Sequence, residues 1–194
     1  MVQRLQVLTR LVRSHFAARS GGIYTSVRGT LVAWPWLCDY NGHVNHVAYL
    51  ELAELGRADW AGRNGLLLAT ARHRLRMIIG AIGITYRREI RRFESFRVDT
   101  TLAGHDDKWL FFAHEFMALR VSKAIPAARV HVQVRVRPSG GDSLSVAALQ
   151  ELCGLSLDLN RPYSEELKSW VCAAKASATI LTRQTADAPI AAES

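Results

Sequence analysis

The chain is poor in the features that most quickly decide a protein's class. Its three cysteines, Cys38, Cys153 and Cys172, are too scattered for a disulfide framework or a CxxC metal site, and they suit a reducing compartment. No apolar run approaches the roughly 20 residues of a membrane-spanning helix. No acidic residue precedes Asp39. Helix-turn-helix spacing, a zinc-finger pattern and an RNP-like aromatic motif are all missing, so the net charge of +8 is not read as a nucleic-acid signature. Such a charge also serves a membrane surface or a phosphorylated cofactor.

What is present is a globular composition. Of 194 residues 49% are hydrophobic, and mean hydropathy is close to zero, which fits one domain with extensions. Residues 1–22 form a basic, amphipathic N-terminal segment with Leu5, Leu8, Val12 and Phe16 at helical spacing among arginines. An organelle presequence, peripheral membrane contact through residues 1–20, and a helix packed on protein all satisfy this pattern. The expected location is cytoplasmic, with mitochondrial or membrane-associated as the alternative.

Residues 24–37 carry β-branched and aromatic side chains and predict a first strand, with Pro35 at its end. Val47 to Trp60 reads as a helix apolar nearly all round, with Asn64-Gly65 as its stop. Residues 76–90, 93–104, 108–120 and 128–137 predict four strands, with turns at 104–107 and 122–126. In the last strand Val130, Val132, Val134 and Val136 alternate with His131, Gln133, Arg135 and Arg137, predicting one dry face and one wetter or interface-facing side. Helices follow over Ser145–Cys153 and from Ser164 to about Thr182. The expected division is a domain over 23–158, a helical extension over 159–183 and a disordered tail over 184–194. The order predicts an α+β fold, a long antiparallel sheet around a central helix, whose free strand edge favours dimerisation.

The chemistry concentrates in residues 38–49, CDYNGHVNHVAY. Asn45 as N-cap leaves the N–H groups around His46 free to bind a developing oxyanion. Gly42 permits close approach. Asp39 is within reach as general base or nucleophile. Three other readings remain open: Asp39 and Asn41 as turn residues, a zinc site from Asp39, His43 and His46, and Cys38 as nucleophile. Glu54 and Arg57, three apart on the helix, predict an ion pair. The arginines at 72, 74, 76, 87, 88, 91 and 92 are candidates for holding phosphates.

The run Asp39-Tyr40-Asn41-Gly42-His43-Val44-Asn45, then Tyr49, after a strand and before a buried helix, resembles the hotdog-fold acyl thioesterases of the 4-hydroxybenzoyl-CoA type. Its D-x-N-x-H-V-N-x-V-x-Y spelling is similar to the plant acyl-ACP enzymes. Gly104 to Trp109, Glu115-Phe116, Leu119-Arg120, Leu152-Cys153 and Leu167 to Trp170 resemble the branch containing thioesterase superfamily member six. The resemblance implies hydrolysis of an acyl-CoA or acyl-ACP thioester in lipid metabolism by a homodimer or homotetramer with sites between subunits. It implies Asp39, Asn41 and His43 as the catalytic set, with Gly42, Asn45, His46 and Tyr49 binding the oxyanion or substrate. Glu51 is a reserve carboxylate, since another branch carries its carboxylate on the helix. No metal and no cofactor beyond the substrate's own CoA or carrier protein is expected, and no nucleic acid. Two alternatives use the same fold: a non-catalytic acyl-thioester binding module and a hydratase or dehydratase.

Overall fold

Alternation every second residue makes the strands, and the fold follows from what covers their apolar face. The computed structural model describes residues 22–121, 123–158 and 160–187. The basic segment expected before Gly22 and the tail beyond residue 187 lie outside the described residues. Five antiparallel strands, β1 (Val27–Val32), β2 (Leu75–Tyr86), β3 (Ser95–His105), β4 (Leu110–Arg120) and β5 (Lys123–Pro138), form one sheet in the order β1-β3-β4-β5-β2. The helix α1 (His46–Arg63) lies against one face of this sheet, and α2 (Leu66–Arg72) and α3 (Val146–Cys153) follow in the same unit. The chain divides after Arg161 into two compact units. In the second, α4 (Glu165–Asp187) starts where Ser164 accepts the Leu167 N–H on its hydroxyl, with Glu165 and Glu166 in the first turn.

The face under α1 is built by register. Phe96, Val98, Thr100 and Leu102 of β3 stand opposite Ala118, Phe116, His114 and Phe112 of β4. Val130, Val132 and Val134 of β5 stand opposite His114, Phe112 and Leu110. Onto this surface α1 lays Tyr49, Leu52, Ala53, Trp60 and Ala61. Trp60 is fully buried, edge-on to Phe112 at 4.9 Å, and its indole N–H donates to the Ile23 carbonyl at 2.9 Å. Burying each such large side chain contributes about 1.5–3 kcal/mol.

Several sequence expectations are corrected by what surrounds the element. The first strand ends at Val32, because Pro35–Leu37 closes a 3-10 turn in which the Cys38 N–H donates to the Pro35 carbonyl. Pro126 is not in a turn: the β4–β5 hairpin closes at the Arg120–Lys123 pair, and Pro126 sits inside β5 where the register shifts beside Met117. α1 is not buried all round, since Val47, Glu51 and Glu54 face solvent. The wetter face of β5 is covered at His131 and Gln133, both buried.

Candidate active site

The helix start organises the site. The Asn45 side chain accepts the Ala48 N–H at 2.9 Å, so α1 begins at His46, and helix geometry leaves the His46 and Val47 N–H groups without intrahelical acceptors. Those donors, at the positive end of the helix, can hold an anionic oxygen. The loop before them is clamped on both sides. The Asn45 N–H donates to the Leu37 carbonyl and the Val44 N–H to Ile90, both at 2.9 Å, while His43 bridges Arg91 and the Arg92 N–H donates to Gly42 at 2.8 Å.

Within the clamp the loop turns on itself. The Asp39 N–H donates to the His43 carbonyl at 3.0 Å, and the Gly42 N–H returns to the Asp39 carbonyl at 3.1 Å. Gly42 has φ of +79°, a backbone conformation that side chains with a Cβ resist. The Asp39 carboxylate is half-buried and divided in its duties. Oδ1 accepts the Asn41 N–H at 2.9 Å, and Oδ2 lies 3.5 Å from His43 Nδ1. A cleft of about 390 Å³ is lined by the next loop residues, Asn41, Gly42 and His43, together with Glu89, Arg91, Arg92 and Phe93, and Asp39 itself is not part of that lining.

Asp39, Asn41, Gly42, His43 and Asn45 therefore form one cluster at the helix start, and His46 adds its backbone there while its side chain is exposed. Tyr49 lies elsewhere: it is buried, edge-on to Phe116 at 4.9 Å and Tyr86 at 5.4 Å. Burial first, then Tyr86, Glu94 and Cys38, raises its phenol well above the usual range, so it stays neutral. Glu51 is on the exposed side of α1. The Cys38 thiol is pushed up chiefly by burial, against Arg92 and with Asp39, and its sulfur faces the Trp34 carbonyl at 3.5 Å, a setting that disfavours the thiolate. Among the described residues no three His, Cys, Asp or Glu side chains converge as metal ligands.

The arginines do not form one phosphate cradle. Arg72, Arg74 and Arg76 precede or open β2, while Arg87, Arg88, Arg91 and Arg92 follow its end. The strand rise separates the two groups by about 35 Å. Arg57 also departs from expectation. Its guanidinium donates to His114 Nε2 at 3.4 Å, with Glu54 exposed and acting on it as a nearby charge. The turn at 90–94 was missed by sequence reasoning, though it closes the site. Nothing in its spacing announces that Ile90 to Arg92 will pair with the loop.

These features agree with the comparisons to known proteins. The family model described as the thioesterase-like superfamily matches residues 32–161, well over half of the chain. The chain belongs to this superfamily. Protein THEM6 of Xenopus laevis is 28% identical over 142 residues, 72% of this chain, and the match spans 64% of that relative's length. The 4-hydroxybenzoyl CoA thioesterase of Pseudomonas sp. strain CBS-3 superposes with a TM-score of 0.59 at 13% identity, covering 66% of this chain and 99% of that one. The Staphylococcus aureus protein SAV2348 in complex with CoA gives a TM-score of 0.60 at 14% identity, covering 76% of this chain and 95% of that one. The α+β hotdog fold implied by the loop motif is thus the fold of this chain.

Proposed function

We propose that the protein hydrolyses an acyl thioester carried on CoA or acyl carrier protein, with Asp39 as general base or nucleophile. The observation that carries this reading is the half-buried Asp39 carboxylate on the loop that leads into the N-terminus of α1, a loop whose residues Asn41, Gly42 and His43 line an open cleft. The His46 and Val47 N–H groups polarise the thioester carbonyl, Asp39 activates water or attacks, and Asn41 and His43 position the reacting groups. The Oδ2 edge facing His43 is the working one, because Oδ1 is held by the Asn41 N–H. CoA is the preferred carrier in this reading, since one structural neighbour is a protein in complex with CoA. Two copies join through the free edge of β2, where Met77, Ile79, Ile82 and Tyr86 are exposed beside unpaired backbone groups.

A specific observation favours a second reading. The same Asp39–Asn41 hydrogen bond is what a purely structural Asx turn makes, so a binding module without hydrolysis needs no different geometry. Asp39→Asn separates the two, because the amide oxygen keeps the turn while the base is lost. Thiol release is measured over an acyl-CoA chain-length panel and on acyl carrier protein, with product masses recorded. Hydrolysis that falls by about 10²–10⁴ in the variant, with acyl-CoA binding retained, supports the enzyme. Equal rates in variant and wild type, with binding intact, leave the binding module. A mass gain of water on an enoyl substrate identifies a hydratase instead.

A further inference from the structure

Five large apolar side chains stand in solvent at one end of the sheet. Tyr40 and Val121 are each 97% exposed, Phe93 59%, Trp36 55% and Trp34 44%. They come from three separate connections: the segment before α1, the turn between β2 and β3, and the β4–β5 hairpin. Short-range contacts hold those connections together. Trp34 and Trp36 stack at 5.4 Å, and Phe93 meets Trp34 edge-on at 6.2 Å. The Phe93 N–H donates to the Ala33 carbonyl at 2.7 Å. Arg120, next to Val121, grips the Glu94 carboxylate and the Glu89 carbonyl. Phe93 itself has φ of +67°, an unfavourable conformation for an aromatic residue that its surroundings must maintain. The fold keeps a costly backbone geometry here and leaves the ring in water.

The charge around these tips is positive on balance. Arg87, Arg88, Arg91, Arg92 and Lys123 are exposed at this end. The acids are engaged: Glu89 pairs with Arg91 at 2.7 Å, Glu94 is held by Arg120 and the Arg91 N–H, and Asp39 is folded into its loop. Near-complete exposure of Tyr40 and Val121 means that these two tips project from the surface, beside the cleft at Asn41–His43 and an open hollow of about 340 Å³ lined by Leu119, Arg120, Val121, Lys123 and Ala124. A nucleobase can cover one ring but not tips on three connections. A second copy is better served by the unpaired edge of β2, along the side of the sheet rather than at its end. A planar, deformable partner that accepts Trp, Tyr and Phe at its surface and attracts arginine and lysine meets every feature, and that is a bilayer interface.

We propose that this end of the domain docks on anionic membranes, with Trp36, Phe93, Tyr40 and Val121 entering the interface and the flanking cations meeting lipid phosphates. The docking does not depend on the thioester chemistry and stands or falls separately from it. The full chain is mixed with phosphatidylcholine vesicles with and without phosphatidylserine, their acyl chains brominated or not. The Trp36 emission is taken as the difference between wild type and Trp36→Phe. Quenching of that component by brominated anionic vesicles, weakened by salt, is the expected result. The pair Phe93→Ser and Val121→Asp lowers the partition coefficient by about tenfold with an unchanged circular dichroism spectrum. An unquenched Trp36 component overturns the proposal, even where the chain sediments with vesicles, because another segment then makes the contact. So does a Trp36 emission that follows protein concentration instead of lipid, which assigns this end to a second copy.

Discussion

Two polar clusters lie against the same helix, and they are built for opposite ends. At the start of α1, Asp39, Asn41 and His43 sit on a loop held by backbone hydrogen bonds, half open to the cleft. Near mid-helix, Arg57, Thr100 and His114 form a cluster inside the core, where Gly56 brings α1 onto the sheet. A guanidinium only donates, so His114 Nε2 accepts from Arg57 and Nδ1–H donates to Thr100 Oγ1 at 2.9 Å. Burial first, then Arg57 and His131, holds the His114 ring well below its ordinary pKa, and it stays neutral. One histidine therefore borders a cleft, and the other is locked as a hydrogen-bonded strut. The lesson is that a polar group under a helix acquires chemistry from access to solvent and substrate, not from its residue type.

The strongest way to test this contrast is to remove the acid of the open cluster. Asp39→Asn is expected to cost about 10²–10⁴ in turnover while leaving the unfolding midpoint close to wild type. A large stability loss would move Asp39 into the structural class with His114. Next, Gly56→Ala strikes the closed cluster: a Cβ there would sit 2.0 Å from Thr100 Oγ1. Thr100 must turn and break its bond to His114, or α1 must lift. Overpacking minus the gain in helix propensity predicts a net destabilisation of about 1–2 kcal/mol by urea unfolding. An unchanged urea midpoint would show that the helix is free to move away.

A pH series separates the two histidines. His114 has a folded pKa below the ordinary histidine value of 6.5, so the unfolded chain binds a proton that the native ring refuses. Its contribution is fully present above pH 6.5 and declines as pH falls through 6.5 toward the depressed folded value. The slope is at most about 1.4 kcal/mol per pH unit for this one proton. His114→Gln should lower stability at neutral pH yet flatten that acid-side slope, as read from urea midpoints at several pH values. A slope unchanged in the variant would assign it to other groups. The smallest effect is expected at Asn45→Ala, which removes the cap for about 1 kcal/mol and loosens the helix start proposed to hold the oxyanion. Turnover should fall more than the stability loss alone explains.

Much of this was legible before the fold was known. The D-x-N-G-H loop, the Asn45 cap and the Asn64-Gly65 stop are local signals, and each is where the chain pattern places it. The strand alternations are also local, since burial on one face repeats every second residue. Pairing is not local. No spacing links Thr100 to His114, or turns Arg57 inward from Glu54, because register and helix docking bring those atoms together. Pro126 misled for the same reason: its meaning depends on the register shift opposite, at Met117.

The amino-acid sequence by itself determined the alternation that gives the strands an apolar face, where α1 begins and which loop carries the carboxylate, because periodicity and capping act over a few neighbouring residues. Only the tertiary structure decided that His114 is a strut while His43 borders a cleft. It alone placed the 90–94 turn as the second wall of the site and gathered Trp36, Phe93 and Val121 at one end. Those outcomes depend on contacts between segments distant in the chain, and such contacts are chosen by packing, after local preference has been satisfied.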